Sequence, residues 1–156
     1  MATLKILKDE ELERVHSDSV DKVTPELRQL AIDMMVSMLE NKGIGLAAPQ
    51  VGKYVRLLVF DCINITSNSN DMGFMFNHEI MNADGEQVGP EGCLSLPGVT
   101  CTVKRYKTIK VKYLGLDNKP AYKILHGLAA RVVQHEIDHL SGTLMTDVQE
   151  KKDETK

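Results

Sequence analysis

Tryptophan is absent, and three Phe and four Tyr are the only aromatic residues, so the chain offers few rings on which single-stranded nucleic acid could stack. An excess of positive charge is lacking too. Nineteen Lys and Arg stand against 22 Asp and Glu, a formal net charge of −3, whereas nucleic-acid affinity rests on clustered basic residues. Sequence-specific nucleic-acid binding is therefore not expected. No apolar run approaches the ~18 residues of a membrane span. Residues 1–10 (MATLKILKDE) carry acids early and have no long apolar stretch, so no secretory leader is expected. Cysteine is scarce and odd in number: Cys62, Cys93 and Cys101. Without a leader, that points to a reducing, cytoplasmic setting in which a special cysteine is catalytic or metal-bound rather than bridged.

What is present suits one self-sufficient domain: 156 residues, 42% hydrophobic and 26% charged. Thr24-Pro25-Glu26 opens a helix with a capping hydroxyl, Pro in the first turn and an acid near the positive dipole end. Leu27, Leu30, Ala31, Met34, Met35 and Met38 recur at helical spacing as a core stripe, and Gly43 is the expected stop. Residues 55–60 (VRLLVF) read as a buried strand, 66–73 as a polar loop, 74–80 as a strand and Asp84-Gly85 as a turn. Residues 108–114 alternate, with Ile109, Val111 and Tyr113 opposite Lys110 and Lys112, and turn through residues 117–120 into 121–125. A second helix is expected over 128–141, stopped by Gly142. The fold class is α+β, with antiparallel or mixed strands packed around that second, central helix and an N-terminal helix beside them. The expected division is one catalytic domain, 1–147, and a charged tail, 148–156.

His135-Glu136-Ile137-Asp138-His139 has the form H-E-x-x-H. Two His four apart share one helix face and can point at one metal ion, with the intervening Glu as general base. A catalytic metal usually takes three protein ligands. The metzincin continuation would need His at position 145, which is Met145, and Glu150 and Glu154 lie in the charged tail. A better third ligand lies upstream. In residues 91–98 (EGCLSLPG), Cys93 sits among turn residues beside Gly92, and a thiolate binds zinc or iron strongly. Cys62 and Cys101 read as packing residues. Two other readings stay open: a cysteine hydrolase using Cys93 with a His base, and a structural metal clip closed by Cys62 or Cys101.

Three segments, 43–50 (GIGLAAPQ), 91–95 (EGCLS) and 134–142 (QHEIDHLSG), resemble the motifs of the peptide deformylase family in content, order and spacing, and the resemblance runs to about residue 147. It implies a metal-dependent hydrolase that removes the formyl group from formyl-methionyl peptides of newly made proteins. Cys93, His135 and His139 would hold one divalent ion, Fe(II) as the family's usual metal, with Zn(II) or Ni(II) in some preparations. Glu136 would be general base and then acid. The Gln50 amide and the Leu94 backbone N–H would donate to the developing oxyanion. Ile44, Leu128 and Val132 would surround the methionine side chain, with backbone at Gly45 and Gly92 exposed to the peptide. Small residues at Gly43, Gly45, Ala47 and Ala48 would leave backbone bare beside the metal. Glu91 and Arg105 would form an ion pair supporting the cysteine loop. The implied partners are nascent peptides, near the ribosome exit region, met by a monomer away from membranes. The implied location is the cytoplasm of a bacterium or of a virus's host, or an organelle after removal of a transit peptide. Asn77-His78-Glu79 departs from the family's Asn-Pro-Glu, and His78 is expected to be a loop substitution without catalytic meaning.

Overall fold

The computed structural model describes residues 3–150. Helix α1 (Pro25–Glu40) begins as its sequence requires: the Thr24 hydroxyl accepts from the Leu27 N–H at 3.2 Å, satisfying a donor that the first turn would leave orphaned. Its end differs from expectation. Lys42, not Gly43, takes the left-handed conformation (φ 59°), and the Gly43 N–H closes back on the Met38 carbonyl at 2.9 Å. Gly43 is small for another reason: a Cβ there would lie 2.6 Å from Leu94 Cδ1.

In chain order there follow β1 (Gly45–Ala47), β2 (Leu57–Asp61), the one-turn helix α2 (Ile63–Thr66), β3 (Met72–Asp84), β4 (Gln87–Cys93), β5 (Leu96–Arg105), β6 (Thr108–Leu114), β7 (Pro120–His126), α3 (Gly127–Leu140) and the short α4 (Met145–Val148). The main sheet is antiparallel in the order β1-β2-β3-β6-β7, and β4 and β5 form a separate hairpin. Both faces of the main sheet are covered. Leu58, Phe60, Met75, Ile109, Val111 and Leu125 pack under Ala129, Val133 and Leu140 of α3. Leu57, Val59 and Phe76 pack with Ala31, Met34 and Met38 of α1. That explains why β2 reads as an unbroken apolar run: its alternate residues serve two cores. Among the described residues, no helix is long and apolar enough to cross a membrane.

Several boundaries move. The expected loop at 66–73 begins as the end of α2, and the strand at 74–80 extends over 72–84. His78 lies in β3 rather than a loop, beside Asn77 (φ 50°) where the pairing with β6 is bulged; the Arg56 guanidinium donates to His78 Nε2 at 3.0 Å. Residues 148–150, from the expected tail, join the fold: Val148 ends α4, Gln149 bridges to Val103, and the Glu150 N–H donates to the Thr102 carbonyl. The tail's remaining residues, 151–156, lie outside the described part.

Candidate metal centre

Helix α3 lays Leu128, Arg131, Val132, His135 and Glu136 along one face, at spacings of three and four, and that face forms one wall of a cleft of about 480 Å³. Edge strand β1 and the turn of the β4–β5 hairpin form the others; Ile44, Gly45, Gln50, Gly92, Cys93 and Leu94 all line it. His139 and Arg105 sit buried behind it.

At the floor, His135 and His139 bring their Nε2 atoms to 3.1 Å, and Cys93 Sγ at the end of β4 lies 3.5 Å from His139 Nε2. One ligand atom from each of the three falls within 4.8 Å of the others. Among the described residues this is the only cluster with metal-ligand character, and neither Cys62 nor Cys101 belongs to it. Both are buried, and burial pushes the Cys62 thiol up to about 12, the behaviour of a packing cysteine. A clip closed by a second thiolate is therefore not what these residues build.

The histidines are aimed by a buried ionic network. Glu91 on β4 accepts from Arg105 at 2.9 and 2.8 Å, from Arg131 at 2.7 Å, and from His135 Nδ1 at 2.9 Å. Burial opposes its charge, but the bonds from Arg105 and His135 win and lower its carboxyl to about 2. An ionised Glu91 makes Nδ1 the protonated nitrogen of His135, so Nε2 faces the cluster. Arg105 also pairs with Asp138 on α3, which ties the hairpin to the helix. Within the cluster the rings share protons unequally. His135 is raised to about 10, against its burial, by the charge of Glu136 and by bonds to Cys93 and Glu91. His139 is lowered to about 3 by burial and then by the charge on His135.

Glu136 is 4% exposed, and its Oε1 has no hydrogen-bond partner. Burial raises its carboxyl to about 7, near the point where it can both take and give a proton at neutral pH. Gly45 has no side chain because none fits: a Cβ would lie 2.5 Å from Glu136 Oε2 and 2.7 Å from Val132 Cγ1. Gln50 sits in a 3₁₀ turn (Ala48–Val51) just after β1. Its Oε1 accepts from the Ala47 N–H at 2.9 Å, and its Nε2 donates to Ser95 Oγ at 3.1 Å, with Cys93 Sγ at 3.7 Å. Leu94 and Ser95 form the two-residue turn between Cys93 and Leu96.

One expectation needs correction. Ala47 and Ala48 are fully buried and expose no backbone to the cleft, because they pack into the two cores; of the four small residues only Gly43 and Gly45 border it. Gly92 borders the cleft, and a Cβ there would meet nothing of the chain within 4 Å. Three residues of the site carried no role in the sequence reading. Ser95 orients the Gln50 amide, Arg131 completes the Glu91 network and Asp138 holds Arg105. The signal for Arg131 is its spacing four before His135 on one helical face; Ser95 and Asp138 stand inside the EGCLS and HEIDH segments, whose patterns assign neither a partner.

The family model for polypeptide deformylase matches residues 2–155. A peptide deformylase of Lachnoclostridium phytofermentans is 42% identical over 144 residues, covering 92% of this chain and 86% of its own. One from Prochlorococcus marinus is 44% identical over 142 residues, covering 90% and 69%. The crystal structure of peptide deformylase from Thermotoga maritima superposes with a TM-score of 0.88 at 34% identity, over 97% of this chain and all of that one.

Proposed function

The chain belongs to the peptide deformylase family, and from that premise we propose which of its residues carry the reaction and how. It is a metal-dependent hydrolase that removes the N-terminal formyl group from nascent peptides. The convergence of Cys93, His135 and His139, with Glu136 Oε1 unpartnered beside them, is the observation that carries the assignment of roles.

The donor set fits a divalent ion. Two imidazoles and a thiolate suit Fe(II), Zn(II) or Ni(II), and we assign Fe(II) as the native metal. When bound, such an ion supplies polarisation of the formyl carbonyl and a lowered pKa for water. The rest is done by the chain. Glu136, near pH 7 in proton affinity, takes the proton of the attacking water and returns it to the departing amine. Gln50, held through Oε1 by Ala47 and through one N–H by Ser95, has its second N–H near Cys93 Sγ at 3.7 Å, a long contact readily exchanged for a developing oxyanion. The Leu94 N–H is the second donor. Ile44, Leu128 and Val132 enclose the methionine side chain, and the free edge of β1 at Gly45, with Gly92 opposite, receives the peptide backbone as an added strand. Glu91, Arg105 and Arg131 act through His135 as positioning residues. We place the reaction in the cytoplasm, on peptides leaving the ribosome, carried out by single chains in one catalytic domain.

The test pairs metal content with turnover. Anaerobically purified protein should hold one ion per chain and release formate from formyl-Met-Ala-Ser, with acetyl-Met-Ala-Ser almost untouched. Cys93→Ala should lose metal and activity together. Full metal in that variant would remove Cys93 from the ligand set.

A further inference from the structure

Four charged side chains other than His135 line the cleft: Lys42, Glu91, Arg131 and Glu136. Three are accounted for. Glu91 and Arg131 neutralise each other in a buried pair at 2.7 Å, and Glu136 lies at the floor beside the donor cluster. Lys42 is different. It is exposed, it stands at the rim where α1 turns into β1, and its ammonium has no hydrogen bond or ion pair among the described residues. A non-glycine residue with φ of 59° is uncommon, and the left-handed turn fixes the direction from which this side chain leaves the backbone.

The segment from Lys42 into β1 borders the cleft along its length. On this rim Gly45 stands nearest the floor, against Glu136 and Val132, while Gly43 borders Leu94 and Lys42, just before it, is exposed. A peptide added to the free edge of β1, with its formyl group at the floor, advances ~3.3 Å per residue. With its first residue beside Gly45, its second lies beside Ile44 and its third beside Gly43, next to Lys42 and within the length of a lysine side chain. We propose that Lys42 is a specificity-determining residue, which selects formylated peptides with an acidic side chain at the third position over those with a basic one. The inference rests on the direction of peptide binding given above. A unit charge a few ångströms away in water-like surroundings is worth about 3-fold in either direction, so acidic over basic should reach about 5- to 10-fold at low ionic strength. Screening should shrink it as salt rises.

The experiment compares kcat/KM for formyl-Met-Ala-Asp-amide, formyl-Met-Ala-Ser-amide and formyl-Met-Ala-Lys-amide in the wild type, Lys42→Gln and Lys42→Glu, the amide removing the terminal charge. All three chains carry an L side chain at the same left-handed position, and equal melting temperatures would confirm equal folding. The expected Asp-to-Lys ratio is about 5 to 10 in the wild type, near 1 in Lys42→Gln and below 1 in Lys42→Glu, each moving toward 1 at ~0.5 M salt. A ratio shared by all three chains, or one indifferent to salt, would overturn the role of Lys42. The uncharged Ser peptide judges the function itself: were the metal-loaded wild type inactive on it, the peptide path would fall and Lys42's role with it.

Discussion

The floor of the cleft and its rim are built on opposite principles. The floor, from α3 and the β4–β5 hairpin, is crowded with charge: Glu91 accepts four hydrogen bonds from Arg105, Arg131 and His135, all of them buried. The rim, from residues 43–45, works by missing atoms, since a Cβ at Gly43 or Gly45 would lie 2.6 or 2.5 Å from a neighbouring side chain. A buried ionic network is costly to desolvate and stabilises little overall, yet removing one member leaves the others uncompensated. The floor is therefore rigid and intolerant of lost partners. The rim is intolerant only of added bulk.

Substitutions separate the two. The largest effect is expected at Glu136, the proposed general base, whose Oε1 has no hydrogen-bond partner. Glu136→Gln should keep its metal while kcat falls by ~10²- to 10⁴-fold, the usual span for a general base. Loss of metal in proportion to activity would make it a ligand instead. Next, Glu91→Gln leaves Arg105 and Arg131 buried without their carboxylate. Chemical denaturation should show a loss of about 3–5 kcal/mol, and metal titration a 10- to 100-fold weaker affinity through the freed His135. Unchanged stability would show that the network is not a unit. At the rim, Gly45→Ala should lower kcat/KM about 10-fold by pushing on Glu136 and Val132, and cost ~1–3 kcal/mol of stability as overpacking does. Unaltered activity there would mean the rim yields more easily than its contacts imply.

Much of this is legible in the sequence, though unevenly. The helices announced themselves because caps and periodicity are local: Thr24-Pro25 opens α1, and Gly142 (φ 78°) follows α3. H-E-x-x-H carries its own geometry, since a helix places residues four apart on one side. The β4–β5 hairpin was not legible. Gly89, Pro90, Gly92, Pro97 and Gly98 break the alternation that marks strands, and only pairing with a distant partner makes them extended. Arg131 and Asp138 escaped for a related reason. Their meaning depends on Glu91 and Arg105, roughly 30 or more residues away in the chain, and no local pattern encodes such a meeting. Residues 66 and 148–150 read as solvated for their composition but were recruited by neighbouring structure.

His78 offers the smallest and most discriminating comparison, because it is a sheltered histidine without the carboxylate that serves His135. Burial lowers it to about 4, and the positive Arg56 adds to the effect. The unfolded chain binds a proton there near pH 6.5, while the folded chain resists until about pH 4. Between those values the unfolded state holds more protons, so stability rises with pH; the contribution is complete above ~6.5 and is lost as acidity passes from 6.5 to 4. Because the ring is partly reached by solvent, the loss should be ~1–2 kcal/mol rather than the full value of the shift. Replacing it with Gln keeps an acceptor for Arg56 and removes the titration. Melting curves at pH 7.5 and pH 5 should therefore differ less for His78→Gln than for the wild type, by a few degrees. If both proteins lost the same stability over that interval, acid sensitivity would belong to the floor of the cleft alone, where histidines and carboxylates meet, and not to any buried ring in β3.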